Sequence, residues 1–386
     1  MKKQTKLWSR RQFVHAAGLG LAASLVALPA GRGFSQTPAG VPPGRLARLR
    51  RGANVCRWFR FIPEDPVELA GYISDAEAQR MREMGLTHVR LCLQPKTVMD
   101  QATGAVREQN ARFVEQAIDR FHRAGLLVVV DLHNEDRPAE VSPDWQAAFV
   151  RFWADFAARL ARFDPELTIF EIVNEPVFSG HEADWNPLNA RLAAAIREHA
   201  PAHTLITSGP NWGGIDGLKK LKLLDDPNVV YSFHCYDPMP FTHQGATWAG
   251  QGFVPLRGVP YPASPEAVAP LLPALATFPD AKGMLENYGR ERWDKARLAA
   301  RFKEGIAWGA QHNVSLYCGE FGVYDKYAPV ADRARWFRDF GEVLAENRIG
   351  WSVWGWDEGF GLNRQYVAGR LVVDTDVAAA LGLTAG

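Results

Sequence analysis

The sequence predicts an α/β protein built as a single (β/α)8 barrel with an extended loop after the sixth strand. Three observations lead there. Short β-branched or aromatic runs alternate with amphipathic helical segments, the pattern of successive parallel βα units. Several runs begin apolar and end polar (VVVDLHN, FEIVNEP, YSFHCYD, LYCGEFG), as expected where the carboxyl ends of barrel strands build a site on one face. No Gly-rich turn follows the first run, which argues against a doubly wound nucleotide-binding sheet.

The eight strand runs are placed at 53–59, 88–93, 126–133, 168–174, 203–208, 229–236, 314–320 and 351–356. Helical periodicity falls between them at 75–84, 110–124, 143–163, 186–200 and 332–347. The longest departure is 237–290, rich in proline and carrying Phe241, Trp248, Phe253 and Tyr261. A long loop of that composition is expected to be a rigid cleft wall. A chain of 386 residues that is 47% hydrophobic can bury a large core, so disorder is excluded as its main state. Lys+Arg 44 against Asp+Glu 43 offers no basic excess for a nucleic-acid partner. Cys56, Cys92, Cys235 and Cys318 all lie in strand-like runs and are expected to be reduced core thiols, small hydrophobes in effect.

Residues 1–36 carry Lys2, Lys3, Lys6, Arg10, Arg11 and Arg32 and no acidic residue. A basic start, Ser9-Arg10-Arg11-Gln12-Phe13, then an apolar stretch over 16–30 reads as a twin-arginine export signal. The apolar stretch is shorter than the roughly twenty residues that a spanning helix needs. The expectation is therefore transient contact with the export machinery, cleavage between Ala30 and Gln36, a periplasmic or secreted product and no stable membrane association. Residues 37–50 read as a lead-in segment, loose over the proline-rich 37–44, and 51–386 as the barrel domain. A monomer is expected.

Glu175, in Asn174-Glu175-Pro176, and Glu320, in Gly319-Glu320-Phe321-Gly322, each close an apolar run. At the fourth and seventh strands of one barrel they face each other across a cleft. Two carboxylates in different surroundings can divide the roles of general acid and nucleophile in glycoside cleavage. The Asp131-Leu132-His133-Asn134-Glu135-Asp136 run lacks a second histidine at ligand spacing, so no metal is implied, and no cofactor.

With these motifs in place the chain resembles glycoside hydrolase family 5. The resemblance rests on Arg90 in HVRL, His133 in DLHN, Asn174 and Glu175 in NEP, His234 and Tyr236 in FHCY, Glu320 in GEFG, and Trp354 in WSVW. It implies Glu175 as acid/base, its pKa raised by desolvation, and Glu320 as nucleophile, kept ionised by Arg90 and Tyr236. It further implies Asn174 as donor to the sugar 2-hydroxyl, His133 and His234 as orienting groups, and Trp354 as the floor under the cleaved sugar. Trp212 after the fifth strand, and Trp248, His243 and Gln244 on the long loop, are candidates for outer sugar contacts; His243 and Gln244 are alternatively loop braces. Trp58, Trp356, Asp357 and Glu358 lie near barrel mouths with no chemistry assigned.

The expected activity is retaining, endo-acting hydrolysis of a β-1,4-glucan, a polysaccharide substrate whose identity comes from the resemblance. A β-mannan or a bacterial exopolysaccharide is the alternative substrate, and transglycosylation the alternative outcome on the same site. A barrel that only binds polysaccharide is the alternative of a different class.

Overall fold

The computed structural model describes residues 40–385 except 62–64, 179 and 368–369. The export signal read at 1–36 lies outside the described residues. Among the described residues, eight parallel strands close into a barrel in sequence order. They are β1 (Arg51–Arg57), β2 (His88–Leu93), β3 (Leu127–Leu132), β4 (Thr168–Glu171), β5 (Thr204–Ser208), β6 (Val229–His234), β7 (Ser315–Glu320) and β8 (Gly350–Val353). Closure is made by β1 on β8, with Gly52 opposite Ser352.

Helices α1 (Asp75–Glu83), α2 (Glu108–Arg123), α3 (Pro143–Leu160), α4 (Glu182–His199), α5 (Lys295–His312) and α6 (Val330–Glu346) surround the barrel. Each is amphipathic in sequence, and each buries one side. In α3, for example, Trp145, Ala148, Phe149, Phe152, Trp153, Phe156 and Leu160 are buried, the spacing of one helical face. Ser142 caps that helix by accepting from Trp145 N–H, and Pro143 occupies its first turn. After β5 the helix shrinks to Ile215–Leu218.

The twofold alternation of strand side chains sorts inside from outside. Outward residues such as Val128, Val130, Phe170 and Phe233 join the core beneath the helices. Inward residues at the amino ends, Leu127, Val129, Ile169, Ile206, Val230 and Tyr317, form a separate apolar plug together with Val41 and Leu49. One step further along each strand the same alternation brings Arg90, Asp131, Glu171 and Ser232 inward, all fully buried. The barrel is thus greasy at one end and charged at the other.

Several boundaries differ from expectation. Residues 40–49 are no loose lead-in: Pro43–Arg48 is helical, and the buried Arg45 donates to Glu166 Oε1 (2.9 Å) and Thr204 Oγ1 (3.0 Å). The open lower mouth of the barrel needs an apolar cover, and Val41 and Leu49 supply it. β4 stops at Glu171 rather than 174, because the chain turns there and Glu175 has a left-handed φ of 41°. β6 and β8 likewise end at His234 and Val353, and β1 runs from Arg51 to Arg57. The wall after β6 is partly helical, with Pro279–Glu291 a full helix. A hairpin of β9 (Asn363–Val367) and β10 (Arg370–Val373) was not foreseen. The four cysteines are buried free thiols.

Candidate active site

Arg90 is the hub. Its guanidinium is fully buried and forks onto Glu171, with Nε to Oε2 at 2.7 Å and Nη2 to Oε1 at 2.8 Å. Nη2 also donates to Asn174 Oδ1 (2.7 Å) and lies 3.1 Å from Asp131 Oδ2. Nη1 donates to Asn54 Oδ1 (2.9 Å) and Glu320 Oε1 (2.8 Å). A rigid planar fork of this kind fixes several partners at once, which a lysine could not do.

Glu320 is held from the other side by Tyr236, whose hydroxyl donates to Oε2 at 3.0 Å. Burial pushes the Tyr236 phenol well above its ordinary value, with Glu320 and Glu175 adding to it, so it stays a neutral donor. His234 Nδ1 donates to Glu175 Oε1 at 2.8 Å and lies 3.5 Å from Glu320 Oε2. One oxygen of Glu175, one of Glu320 and one ring nitrogen of His234 lie within 4.8 Å of one another. Gly319 permits this approach, since a Cβ there would sit 2.8 Å from His234 Nε2.

Asn174 is oriented by two contacts. Its carbonyl accepts from Arg90, and its amide donates to His133 Nε2 at 3.2 Å. His133 can accept because its Nδ1 donates to Asp131 Oδ2 at 2.9 Å. Burial, with Arg60 and Arg90 nearby, pushes His133 well below the ordinary histidine value, which keeps it neutral. Its ring stacks on Trp354 at 5.4 Å and 24°. The structure therefore brings Arg90, His133, Asn174, Glu175, His234, Tyr236, Glu320 and Trp354 to one end of the barrel.

The surroundings push the two carboxyl groups in opposite directions. Burial raises Glu175, but the hydrogen bond and charge of His234, then Arg137 and Arg90, overcome this and hold it below the usual carboxylate range. Burial raises Glu320, His234 opposes, Glu175 raises it again, and the balance lies above that range. Burial disfavours a charged His234, yet Glu320 and Glu175 outweigh it and raise its pKa. The imidazole faces both carboxylates, and its hydrogen bond falls on Glu175.

The outer candidates separate. Trp212 and Trp248 are 54% and 62% exposed. Gln244 is fully buried and spends its amide on the loop, taking Val259 N–H and donating to Phe241 and Val259 carbonyls; it is a brace and does not reach a sugar. His243 is also nearly buried, bonded to Thr242 Oγ1 at 2.9 Å and set edge-on to Tyr236. Trp58 and Trp356 are buried packing residues that donate to Leu69 O and Glu77 Oε1. Asp357 accepts from Cys56 and Arg57 N–H, and Glu358 lies 3.9 Å from Arg60.

Sequence reasoning passed over Asn54, Asp131, Glu171, Arg137 and Glu140. Strand alternation could have exposed two of them: Glu171 lies two residues after the inward Ile169, and Asp131 two after Val129. Arg137 and Glu140 carry no periodic signal, because they lie in a short 3-10 turn.

A family model for cellulase (glycosyl hydrolase family 5) matches residues 64–359. The chain belongs to glycoside hydrolase family 5. As a family 5 member it is 30% identical over 322 residues to endoglucanase C of Acetivibrio thermocellus, covering 81% of this chain and 92% of that protein. The family 5 barrel superposes on Thermotoga maritima Cel5A in complex with cellobiose with a TM-score of 0.72 and 25% identity, over 88% of this chain and 100% of that one. The cellulose synthase subunit Z of Clostridioides difficile shares the fold at TM-score 0.70 and 24% identity, over 86% and 99%. The protein is a β-glycoside hydrolase.

Proposed function

We propose that the chain is a retaining endo-β-1,4-glucanase acting by double displacement, with Glu320 as nucleophile and Glu175 as acid/base. The observation that carries this reading is the proximity of the two carboxylates, one oxygen of Glu175 lying within 4.8 Å of one oxygen of Glu320. Retaining sites hold their carboxyl groups about 5–5.5 Å apart, whereas inverting sites leave about 6.5–9.5 Å for a water.

In the first step Glu320 Oε attacks the anomeric carbon while the glycosidic oxygen takes a proton from Glu175. That proton is available across the 2.8 Å bond from His234 Nδ1: its transfer yields neutral histidine and acid Glu175 without changing the net charge. Arg90 and Tyr236 hold Glu320 in position, and Asn174 meets the sugar 2-hydroxyl, a bond that strengthens as the ring becomes oxocarbenium-like. In the second step Glu175 removes a proton from water, whose oxygen displaces Glu320 and restores the carboxylate. The glucan preference is supported by the endoglucanase relative and by the cellobiose-bound neighbour. Export through the twin-arginine route is supported by the sequence of 1–36 alone.

The test is reducing-sugar release from carboxymethyl cellulose, mixed-linkage glucan, glucomannan, galactomannan and laminarin, with Glu320→Gln in parallel. Activity on β-1,4-glucans that disappears in the variant supports the reading. Activity confined to galactomannan overturns the substrate, and a fully active variant overturns the nucleophile.

A further inference from the structure

Three features of Arg137 meet at the acid/base carboxylate. Its Nη1 donates to the carbonyl oxygens of Glu175 (2.8 Å) and Asn174 (3.2 Å). Its Nη2 lies 3.7 Å from Glu175 Oε2. Its guanidinium stands 5.1 Å from the ring centre of the exposed Trp212.

Two further contacts make the arrangement rigid. The buried Glu140 takes Arg137 Nη1 and Asn134 Nδ2 on Oε1, and the N–H groups of Val177 and Phe178 on Oε2. Glu175 and Phe178 both have left-handed φ, 41° and 47°, a conformation that persists only when the surroundings enforce it. The turn carrying Trp212 abuts the same segment, since a Cβ on Gly213 would lie 3.7 Å from Glu175 Cα.

We propose that Arg137 is a positioning residue that couples binding of the leaving sugar on Trp212 to the acid/base action of Glu175. The proposal rests on the reading of Glu175 as acid/base. The chemistry gives the direction: the proton of Glu175 goes to the glycosidic oxygen, so the departing sugar lies on the Glu175 side of the cleft, where Trp212 stands. A sugar stacked on Trp212 closes the indole over Arg137, and Arg137 in turn fixes both the backbone and the carboxylate of Glu175. The charged and titratable groups facing Glu175 are His234, Glu320, Tyr236, His243, Arg90 and Arg137. Among those, Arg137 alone also touches the Trp212 platform.

The experiment measures kcat and KM against pH for the full chain, Arg137→Lys and Arg137→Gln. A soluble β-1,4-glucan is compared with 2,4-dinitrophenyl cellobioside, whose leaving group needs no proton and offers no sugar to Trp212. Arg137→Gln is expected to lower kcat on the glucan by about 10²-fold, the cost of a misplaced catalytic group, and on the dinitrophenyl substrate by less than about tenfold. Removing the cation strengthens the hold of the His234–Glu175 pair on the proton it delivers, so the alkaline limb, where that proton is lost, moves up by about one unit. Arg137→Lys keeps the limb in place but, lacking the fork, remains slow on the glucan. If Arg137→Gln does not fold, the Lys variant decides by the same contrast between substrates. Equal losses on both substrates with an unmoved limb overturn the proposal, as does wild-type behaviour. Glu175→Gln separates the two readings: an inactive Glu175→Gln beside wild-type-like Arg137 variants sinks only the coupling, whereas a fully active Glu175→Gln sinks both.

Discussion

Arg90 and Glu171 form a two-pronged ion pair inside the barrel, with neither side chain more than 1% exposed and bonds of 2.7 and 2.8 Å. Glu320 takes only one of the remaining donors. Glu171 is thus the anchor that aims Arg90 at the nucleophile. Truncating one partner of a buried pair costs about 3–5 kcal/mol where the other charge is left alone; here Glu320 and Asp131 still face Arg90, but its Nε and one Nη2 donor lose their acceptors. Glu171→Ala is expected to lose stability of that order in urea unfolding and to lose activity as Arg90 swings away from Glu320. Wild-type stability in that variant would contradict the anchor role.

The two carboxylates differ in what substitution should do. Glu175→Ala is expected to slow cleavage of poor leaving groups by about 10²–10⁴-fold, the usual worth of general acid catalysis, and to spare dinitrophenyl glycosides. Added azide should then accumulate a β-glycosyl azide, because Glu320 still forms its ester. Glu320→Gly should be inactive on every substrate. Product analysis with azide for both variants checks the assignment, and interchanged behaviours would exchange the roles.

Acid stability should fall because histidines are buried neutral. Burial pulls His88 down to about 3, and His203 and His243 to about 4. Each folded value lies below the unfolded one, so between about pH 6.5 and pH 4 the unfolded chain binds more protons than the native state. Stability is complete above about 6.5 and declines towards 3, by about 1.4 kcal/mol per pH unit for each fully neutral histidine. Urea midpoints at pH 7, 5.5 and 4.5 should decrease in that order. His88 Nδ1 donates to Arg48 O (3.1 Å) and its Nε2 accepts from the Tyr317 hydroxyl (2.8 Å), so His88→Gln should flatten the decline. An unchanged midpoint down to pH 4.5 would refute this.

Trp212 and Trp248 stand exposed on different loops of the cleft, Trp248 leaning edge-on against Tyr324 at 5.0 Å. An aromatic face buried by a sugar contributes roughly as an apolar contact of its area. Trp248→Ala is expected to raise KM for long glucans several-fold and leave KM for aryl cellobiosides nearly unchanged. A parallel change on both would place Trp248 outside the sugar path.

The barrel, and the meeting of Glu175 with Glu320 at its mouth, were legible because both have local signatures. Alternation of apolar strands and amphipathic helices encodes the βα units, and polar residues clustered at strand ends mark the mouth. The hub partners were harder to see. Glu171 and Asp131 lie within runs that read as apolar, and only the inward register reveals that they meet Arg90. Arg137 and Glu140 act from an irregular turn whose contacts with the Asn174–Phe178 segment are 37 or 38 residues away in sequence, beyond any periodic pattern. Which carboxylate the His234 ring touches is equally out of reach of the sequence, since Nδ1 lies 2.8 Å from Glu175 and 3.5 Å from Glu320. Of the two sequence readings of Gln244, its complete burial favours the loop brace.

Double displacement at Glu320 and Glu175 is tested most directly by the anomeric configuration of the first product. Proton NMR of cellopentaose hydrolysis, recorded before mutarotation, should show the β-anomer accumulating first and the α-anomer appearing only later. An α-anomer at the earliest times would mean a direct attack by water, and the paired-carboxylate mechanism would be wrong.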